Sequence, residues 1–266
     1  MIDRCTPCPS QHLKNFIYKL KNKEPFSFVR FSDGEVEILR NRYLEINNGT
    51  TAFRGRVFRN TFPVFDTKKF DPDVNKNLRM DLLGSALYKN KFFYKGIPTE
   101  HNNAIIDREL LLRLNGGFDT NMTFSDLFLN SNYLLYKKSL VPLFKMYKKV
   151  YVIANFRAKL VDVLDGAIHV KVPDNFFPVY DQTLKATMAT LGDIESGSLV
   201  LSSASSLSNV VAHKLFIERH DITFLDIGSS LNDLLSLGSG MREYMDTNSL
   251  LRSFFYKRSK RYNIKW

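Results

Sequence analysis

The second half of the chain alternates short apolar runs with helix-patterned stretches, and few folds accept that order. Apolar runs rich in β-formers recur at 150–155 (VYVIAN), 167–172 (AIHVKV), 198–203 (SLVLSS) and 222–227 (ITFLDI). A helical stretch at 131–148 leads in, others lie near 157–165, 180–191 and 205–219, and a further one follows 227. Strands separated by helices of this length pair in parallel, and a parallel sheet must bury both its faces. The expected architecture is α/β and Rossmann-like, a mainly parallel sheet with helices on both faces.

The first half follows the plan less regularly. Residues 10–23 put Leu13, Phe16, Ile17 and Leu20 on one helical face, and Pro25 ends that helix. FSFVRF (26–31) reads as a buried strand. SDGEVEILRNRYLE follows, where Ser32 and Asp33 can cap a helix that buries Val36, Leu39 and Tyr43. Residues 47–73, rich in Asn, Gly, Thr, Pro and Asp, read as a long irregular excursion with a short strand near Val57. A helix at 74–91, a strand in KFFYKGI (91–97) and a helix near 103–114 complete this half.

A length of 266 residues suits one core with an appendage. The expected division is a single α/β domain, 1–249, and a basic aromatic tail, 250–266. A hydrophobic share of 44% is enough to fill such a core and argues against wholesale disorder. The formal charge of +11 favours anionic partners without choosing among them. Cys5 and Cys8 cannot frame a disulfide scaffold, and no second Cys pair completes a zinc site. The histidines lack ligand spacing, and His213 falls within an apolar helix. No apolar h-region opens the chain and no uncharged run approaches a membrane span, so a cytoplasmic location is expected. Beyond Asp246 the tail has no acid, while Arg252, Lys257, Arg258, Lys260, Arg261 and Lys265 interleave with Phe254, Phe255, Tyr256, Tyr262 and Trp266. It suits either peripheral contact with an anionic membrane or a helix packed back on the domain.

In open α/β sheets ligands bind beyond the carboxyl ends of the strands. Four turns qualify: Ser32-Asp33-Gly34-Glu35, Asn155-Phe156-Arg157, the serine turn 202–206, and Asp226-Ile227-Gly228-Ser229-Ser230. In the first, two carboxylates flank a glycine where a strand gives way to a helix. Mg²⁺ and Mn²⁺ take oxygen ligands, often one or two carboxylates plus substrate phosphates. Gly34 lets a phosphate approach the backbone, and Arg30 can add a charge-assisted contact. The plain alternative makes Asp33 an N-cap and Glu35 a dipole partner.

FSFVRFSDGEVEIL resembles the signature of GT-D-type glycosyltransferases, which is similar to R-F-G-D-G-E; Ser32 stands at the usual glycine. VYVIANFRAKL, VYDQTLKAT, LVLSSASSLSNVVAHKLF and FLDIGSSLNDLL resemble later elements of that family, in its order. The chain departs from the pattern at Ser229, where the family often has His, and at Asn232 and Asp233, which replace an acidic-aromatic cluster. The resemblance implies transfer of a sugar from a nucleotide-sugar donor, with UDP favoured, to a saccharide or glycan acceptor. It implies Mn²⁺ or Mg²⁺ held by Asp33 and Glu35. Arg30, Ser32 and Gly34 would join these on the diphosphate, with Asn155, Ser203 and Ser205 on the nucleotide or donor hydroxyls. The candidate acceptor bases are Asp226, Asp181 and Asp233, in falling order. A basic nucleic-acid-binding protein and a metal-independent nucleotide-binding transferase are the rival readings; the first lacks any named motif.

Overall fold

The computed structural model describes residues 9–60, 65–98, 104–129 and 132–237. The tail, Cys5, Cys8 and most of LGSGMRE (237–243) lie outside them. Strands β1 (Ser27–Arg30), β6 (Phe93–Ile97), β7 (Met122–Phe124), β8 (Val150–Asn155), β9 (Ile168–Val172), β10 (Leu199–Ser202) and β11 (Thr223–Asp226) form one sheet. Its order is β7-β6-β1-β11-β10-β8-β9, and every pairing is parallel. This is the Rossmann-like α/β architecture expected from the alternation.

Side chains alternate across each strand and feed two cores. Val29, Ile153, Val200 and Phe224 face one core, covered by α2 (Asp33–Leu39), α3 (Lys76–Leu87), α4 (Ala104–Leu114), α6 (Tyr180–Leu191) and α7 (Ser206–Glu218). Phe28, Val152, Leu201 and Leu225 face the other, covered by α1 (Pro9–Lys21) and the helical segment that starts at α5 (Tyr133–Leu135). Leu13, Phe16 and Leu20 of α1 are fully buried there, each contributing about 1.5–3 kcal/mol relative to exposure. Gly96 is fixed by close approach: a Cβ there would sit 2.9 Å from the Ser125 Cα, so only glycine lets β6 lie against the turn after β7.

Several sequence expectations need correction. The short strand expected near Val57 is there, but it is one of four rather than a lone strand in an irregular excursion. β2 (Leu44–Asn47), β3 (Thr50–Phe53), β4 (Arg56–Arg59) and β5 (Lys68–Phe70) make an antiparallel sheet of order β4-β3-β2-β5. Asn48-Gly49 and Arg54-Gly55 are two-residue hairpin turns, with φ of +88° at Gly49, +55° at Arg54 and +72° at Gly55, and an Asn-Gly pair is the strongest short hairpin signal. The stretch 131–148 does not hold α-geometry. It opens as α5, widens into a π-helical turn at Tyr136–Leu140 and tightens to a 3₁₀ helix at Val141–Met146, where Pro142 has no N–H to donate. Residues 157–165 form a turn and a short 3₁₀ helix (Asp162–Leu164), because their donors are taken elsewhere. The Arg157 N–H goes to Asn155 Oδ1, and the Lys159 and Val161 N–H groups go to the carbonyls of Leu235 and Leu234. The further helix expected after β11 is present as a 3₁₀ helix, Gly228–Leu235. α2 stops at Leu39, where Asn41 adopts φ +59° and Arg42 N–H reaches back to the Glu37 carbonyl, so Tyr43 is exposed instead of buried.

Two buried carboxylates tie the small sheet to the main domain. Glu37 of α2 and Asp107 of α4 are both 0% exposed. Arg54 bridges them from the β3–β4 turn, at 3.2 Å to Glu37 and 2.7 Å to Asp107. Arg40 contacts the same two carboxylates. Burying two acids is tolerable only with such pairing. Among the described residues no helix is long and apolar enough to cross a membrane.

Candidate functional site

The carboxyl ends of β1, β11 and β10 meet in the middle of the sheet, and a polar cluster stands over them. Arg30 closes β1. Its backbone N–H and its Nη2 each donate to Asp226 at the end of β11, both at 3.2 Å, to Oδ2 and Oδ1. The Arg30 carbonyl accepts from Asn209 Nδ2 of α7 at 2.9 Å. Gly228 makes room for the guanidinium: it has φ +57°, and a Cβ there would fall on Arg30 Nη2. Arg30, Asp226 and Gly228 therefore form one unit.

The Ser-Asp-Gly-Glu turn splits its two carboxylates. Asp33 is exposed and takes the Gly34 N–H on Oδ1 at 3.0 Å. Glu35 turns inward and is 7% exposed. Its Oε2 accepts the Ser32 N–H at 3.0 Å, closing a capping box at the start of α2. Its Oε1 accepts from the Ser205 hydroxyl at 3.1 Å. Ser205 precedes α7 with φ +52° and ψ −141°, and its hydroxyl bonds Glu35 instead of capping its own helix. A non-glycine residue held there stores on the order of 1–3 kcal/mol of strain, which clusters at functional sites. The Ser202 and Ser208 hydroxyls bond each other at 2.7 Å, and Ser208 Oγ takes the Ala204 N–H, so the serine turn is internally fixed.

Burial pushes the Glu35 carboxyl above its ordinary range; Lys68 is the strongest charge opposing this, followed by the raising effect of Asp226 and the lowering effect of Arg30. Burial raises Asp226 too, with the Arg30 charge and hydrogen bonds pulling it back. Two interacting carboxylates held up in this way belong to a class enriched at functional sites. Lys68 reaches this field from β5, where its Nζ pairs with Asp66 at 3.0 Å. β5 also packs on the turn Phe177–Val179 beyond β9, and Asn75 donates to the Phe177 carbonyl at 3.0 Å. The small sheet therefore reaches across the strand ends. Lys68 could not be singled out from the sequence, because its strand sits in the stretch read as irregular.

The other candidates are engaged elsewhere. Asn155 organises its own turn, donating to Asp174 Oδ1 at 2.8 Å and accepting the Arg157 N–H at 2.9 Å. Ser203 N–H extends the β8–β10 ladder to the Ile153 carbonyl. Asp181, exposed on α6, accepts from Asn77 of α3. Asp233 accepts from Tyr133 and Lys137 at 3.0 and 3.1 Å, fastening the segment after β11 to the α5 region. Of the three candidate bases, only Asp226 belongs to the central cluster. His213 is half-buried against Tyr88, with ring centroids 4.9 Å apart.

The donor set suits a hard cation. Among the described residues no three acidic, histidine or cysteine side chains converge as a ready ligand cage. Asp33 offers an exposed carboxylate, and Glu35 a second one whose two hydrogen bonds leave lone pairs over. Two carboxylates that need phosphate oxygens to complete the shell are the usual protein share of a Mg²⁺ or Mn²⁺ site.

No protein-family model matches the sequence, and no curated protein matches it. Solved structures do. A glycosyltransferase containing the domain of unknown function 1792, from Streptococcus sanguinis, aligns over 81% of this chain and 79% of its own, at 17% identity and a TM-score of 0.50. A second structure of a domain of unknown function 1792, described as having a distinct glycosyltransferase fold, aligns over 94% of this chain and 82% of its own, at 16% identity and a TM-score of 0.48. At this similarity the chain shares the overall fold of the streptococcal glycosyltransferase.

Proposed function

We propose that this protein is a glycosyltransferase that moves a sugar from a nucleotide donor, UDP-sugar favoured, to a saccharide acceptor. The observation that carries the reading is the cluster Arg30, Asp33, Glu35, Ser205 and Asp226 at the strand ends, with two buried carboxylates held above their ordinary range. It stands on a fold that the streptococcal glycosyltransferase shares.

Asp33 and Glu35 would hold Mn²⁺ or Mg²⁺, which when bound supplies Lewis-acid stabilisation of the departing diphosphate. The chain's own residues do the rest. Arg30 and Lys68 both place positive charge near Glu35, available to the same phosphates. Ser205 keeps the Glu35 carboxylate oriented. Asp226, with its pKa raised, takes the proton of the acceptor hydroxyl while Arg30 steadies it. Asp33, by contrast, is open to solvent and to an arriving ligand.

The test is turnover of a panel of nucleotide sugars with and without divalent metal. Donor hydrolysis or transfer that needs Mn²⁺ or Mg²⁺ and is lost in Asp33→Asn supports the assignment. Full activity in chelator removes the metal. Failure to turn over any nucleotide sugar, together with nucleic-acid binding of steep salt dependence, replaces it with the nucleic-acid reading.

A further inference from the structure

The turn beyond β8 holds a half-exposed aromatic ring more tightly than a solvated loop needs. Phe156 is 47% exposed. Its N–H extends the ladder to the Val172 carbonyl of β9 at 2.8 Å. The guanidinium of Arg157 lies over the ring, 4.8 Å from its centroid. Arg157 is in turn clamped by Asp174, through Nε at 3.0 and 3.2 Å and Nη2 at 2.7 Å. Asn155 bonds Asp174 and the Arg157 backbone at once. Arg157 holds the Asp174 carboxyl below its ordinary range, so this clamp stays charged at neutral pH. Three polar side chains thus fix the direction of one apolar ring at the edge where ligands of parallel sheets bind.

We propose that Phe156, backed by Arg157, is the stacking platform for the nucleobase of the donor. This rests on the nucleotide-donor reading and extends it to the base. Sheet order puts β8 three strand spacings from β1, roughly 14 Å. That is on the order of the length of a nucleoside diphosphate laid across β11 and β10, with its phosphates toward Arg30 and Glu35 and its base over Phe156. Every base has a π-face, so the platform supplies affinity, and any choice among bases comes from polar groups at its edge. Asn155 and Asp174 are the polar side chains at that edge.

Calorimetric titration of the full chain with UDP, CDP, GDP, ADP and inorganic pyrophosphate, all with Mn²⁺, tests this. Phe156→Ala should weaken the best-bound nucleoside diphosphate about 10-fold or more, leave pyrophosphate affinity unchanged, and be rescued by Phe156→Trp. Equal nucleoside diphosphate affinity in wild type and Phe156→Ala overturns the platform and leaves the donor reading standing. A matching loss for pyrophosphate also overturns it, because the defect then does not lie at the base. If the wild type binds none of the four nucleoside diphosphates, the donor reading and the platform fall together.

Discussion

Both carboxylate oxygens of Asp226 accept from Arg30, one from the backbone N–H and one from Nη2, so Arg30 of β1, together with the Gly228 backbone, orients the acid that ends β11. Asp226 is 2% exposed, and the Arg30 side chain 15%. Removing one partner of such a pair leaves the other with a poorly compensated charge. Asp226→Asn should therefore lower stability by about 2–4 kcal/mol and, as loss of the proposed proton acceptor, reduce kcat at least 100-fold with little change in donor KM. Thermal unfolding and steady-state kinetics on the same preparation separate the two effects. A kcat that falls only in step with the folded fraction would make the residue purely structural.

Gly228 is the seat of the same guanidinium. Gly228→Ala puts a methyl group where Arg30 Nη2 lies and asks alanine to hold φ +57°. The backbone alone costs about 1 kcal/mol; displacement of Arg30 adds to it and should remove most activity. In an Arg30→Ala background the same substitution should cost only its backbone share. A double-mutant cycle on melting temperature and turnover measures the difference, and purely additive effects would dissolve the proposed unit.

His12 of α1 carries a pH dependence of its own. It is 6% exposed, and burial lowers its pKa from 6.5 to about 4. The unfolded chain then binds a proton that the folded chain refuses. Its contribution is complete above pH 6.5 and is lost as pH falls toward 4, by about 3 kcal/mol in all. Glu35 and Asp226, shifted upward, run the other way and lose their contribution as pH rises. The stability difference between wild type and His12→Leu, followed from pH 7.5 to 4.5, isolates the histidine. It should move in favour of the variant as pH drops, and a difference constant with pH would refute the burial argument.

Arg54 adds an ionic tie to the apolar packing that holds the small sheet on the domain. Arg54→Met withdraws one charge from the fully buried Glu37 and Asp107 and should destabilise by about 3 kcal/mol or more. Because β5 carries Lys68 and packs on Phe177–Val179, donor affinity should weaken as well. Melting curves and nucleotide binding on the variant check both, and an unchanged melting temperature would contradict the clamp.

Much of the fold was legible because its strands are buried on both faces, and VYVIAN and SLVLSS have no other use for such apolar runs. Of the four-stranded insertion, only the short strand near Val57 was. Its strands are four residues or shorter, and those of β4 are exposed throughout, so no hydrophobic period betrays them. The Asn48-Gly49 turn was the available signal. The helix expected at 157–165 failed for a tertiary reason, since Leu234 and Leu235 capture its donors from a distant segment. At the site, the D-x-E turn and Asp226 could be read from position at strand ends. Their division of labour could not. That Glu35 turns in toward Ser205 while Asp33 stays outside depends on a hydrogen bond across 170 residues of sequence, and the pairing of Arg30 with Asp226 spans 196.

In the proposed reading, Asp33 and Glu35 hold a divalent cation on a nucleotide diphosphate. Titration of UDP into the protein with Mn²⁺ and in chelator measures it most directly, with Asp33→Asn and Glu35→Gln as partners. Metal should tighten UDP binding at least 10-fold in the wild type, and this enhancement should disappear in Asp33→Asn, whose exposed side chain leaves the fold intact. UDP binding that is equally strong in chelator, or a metal enhancement that survives in both variants, would contradict it.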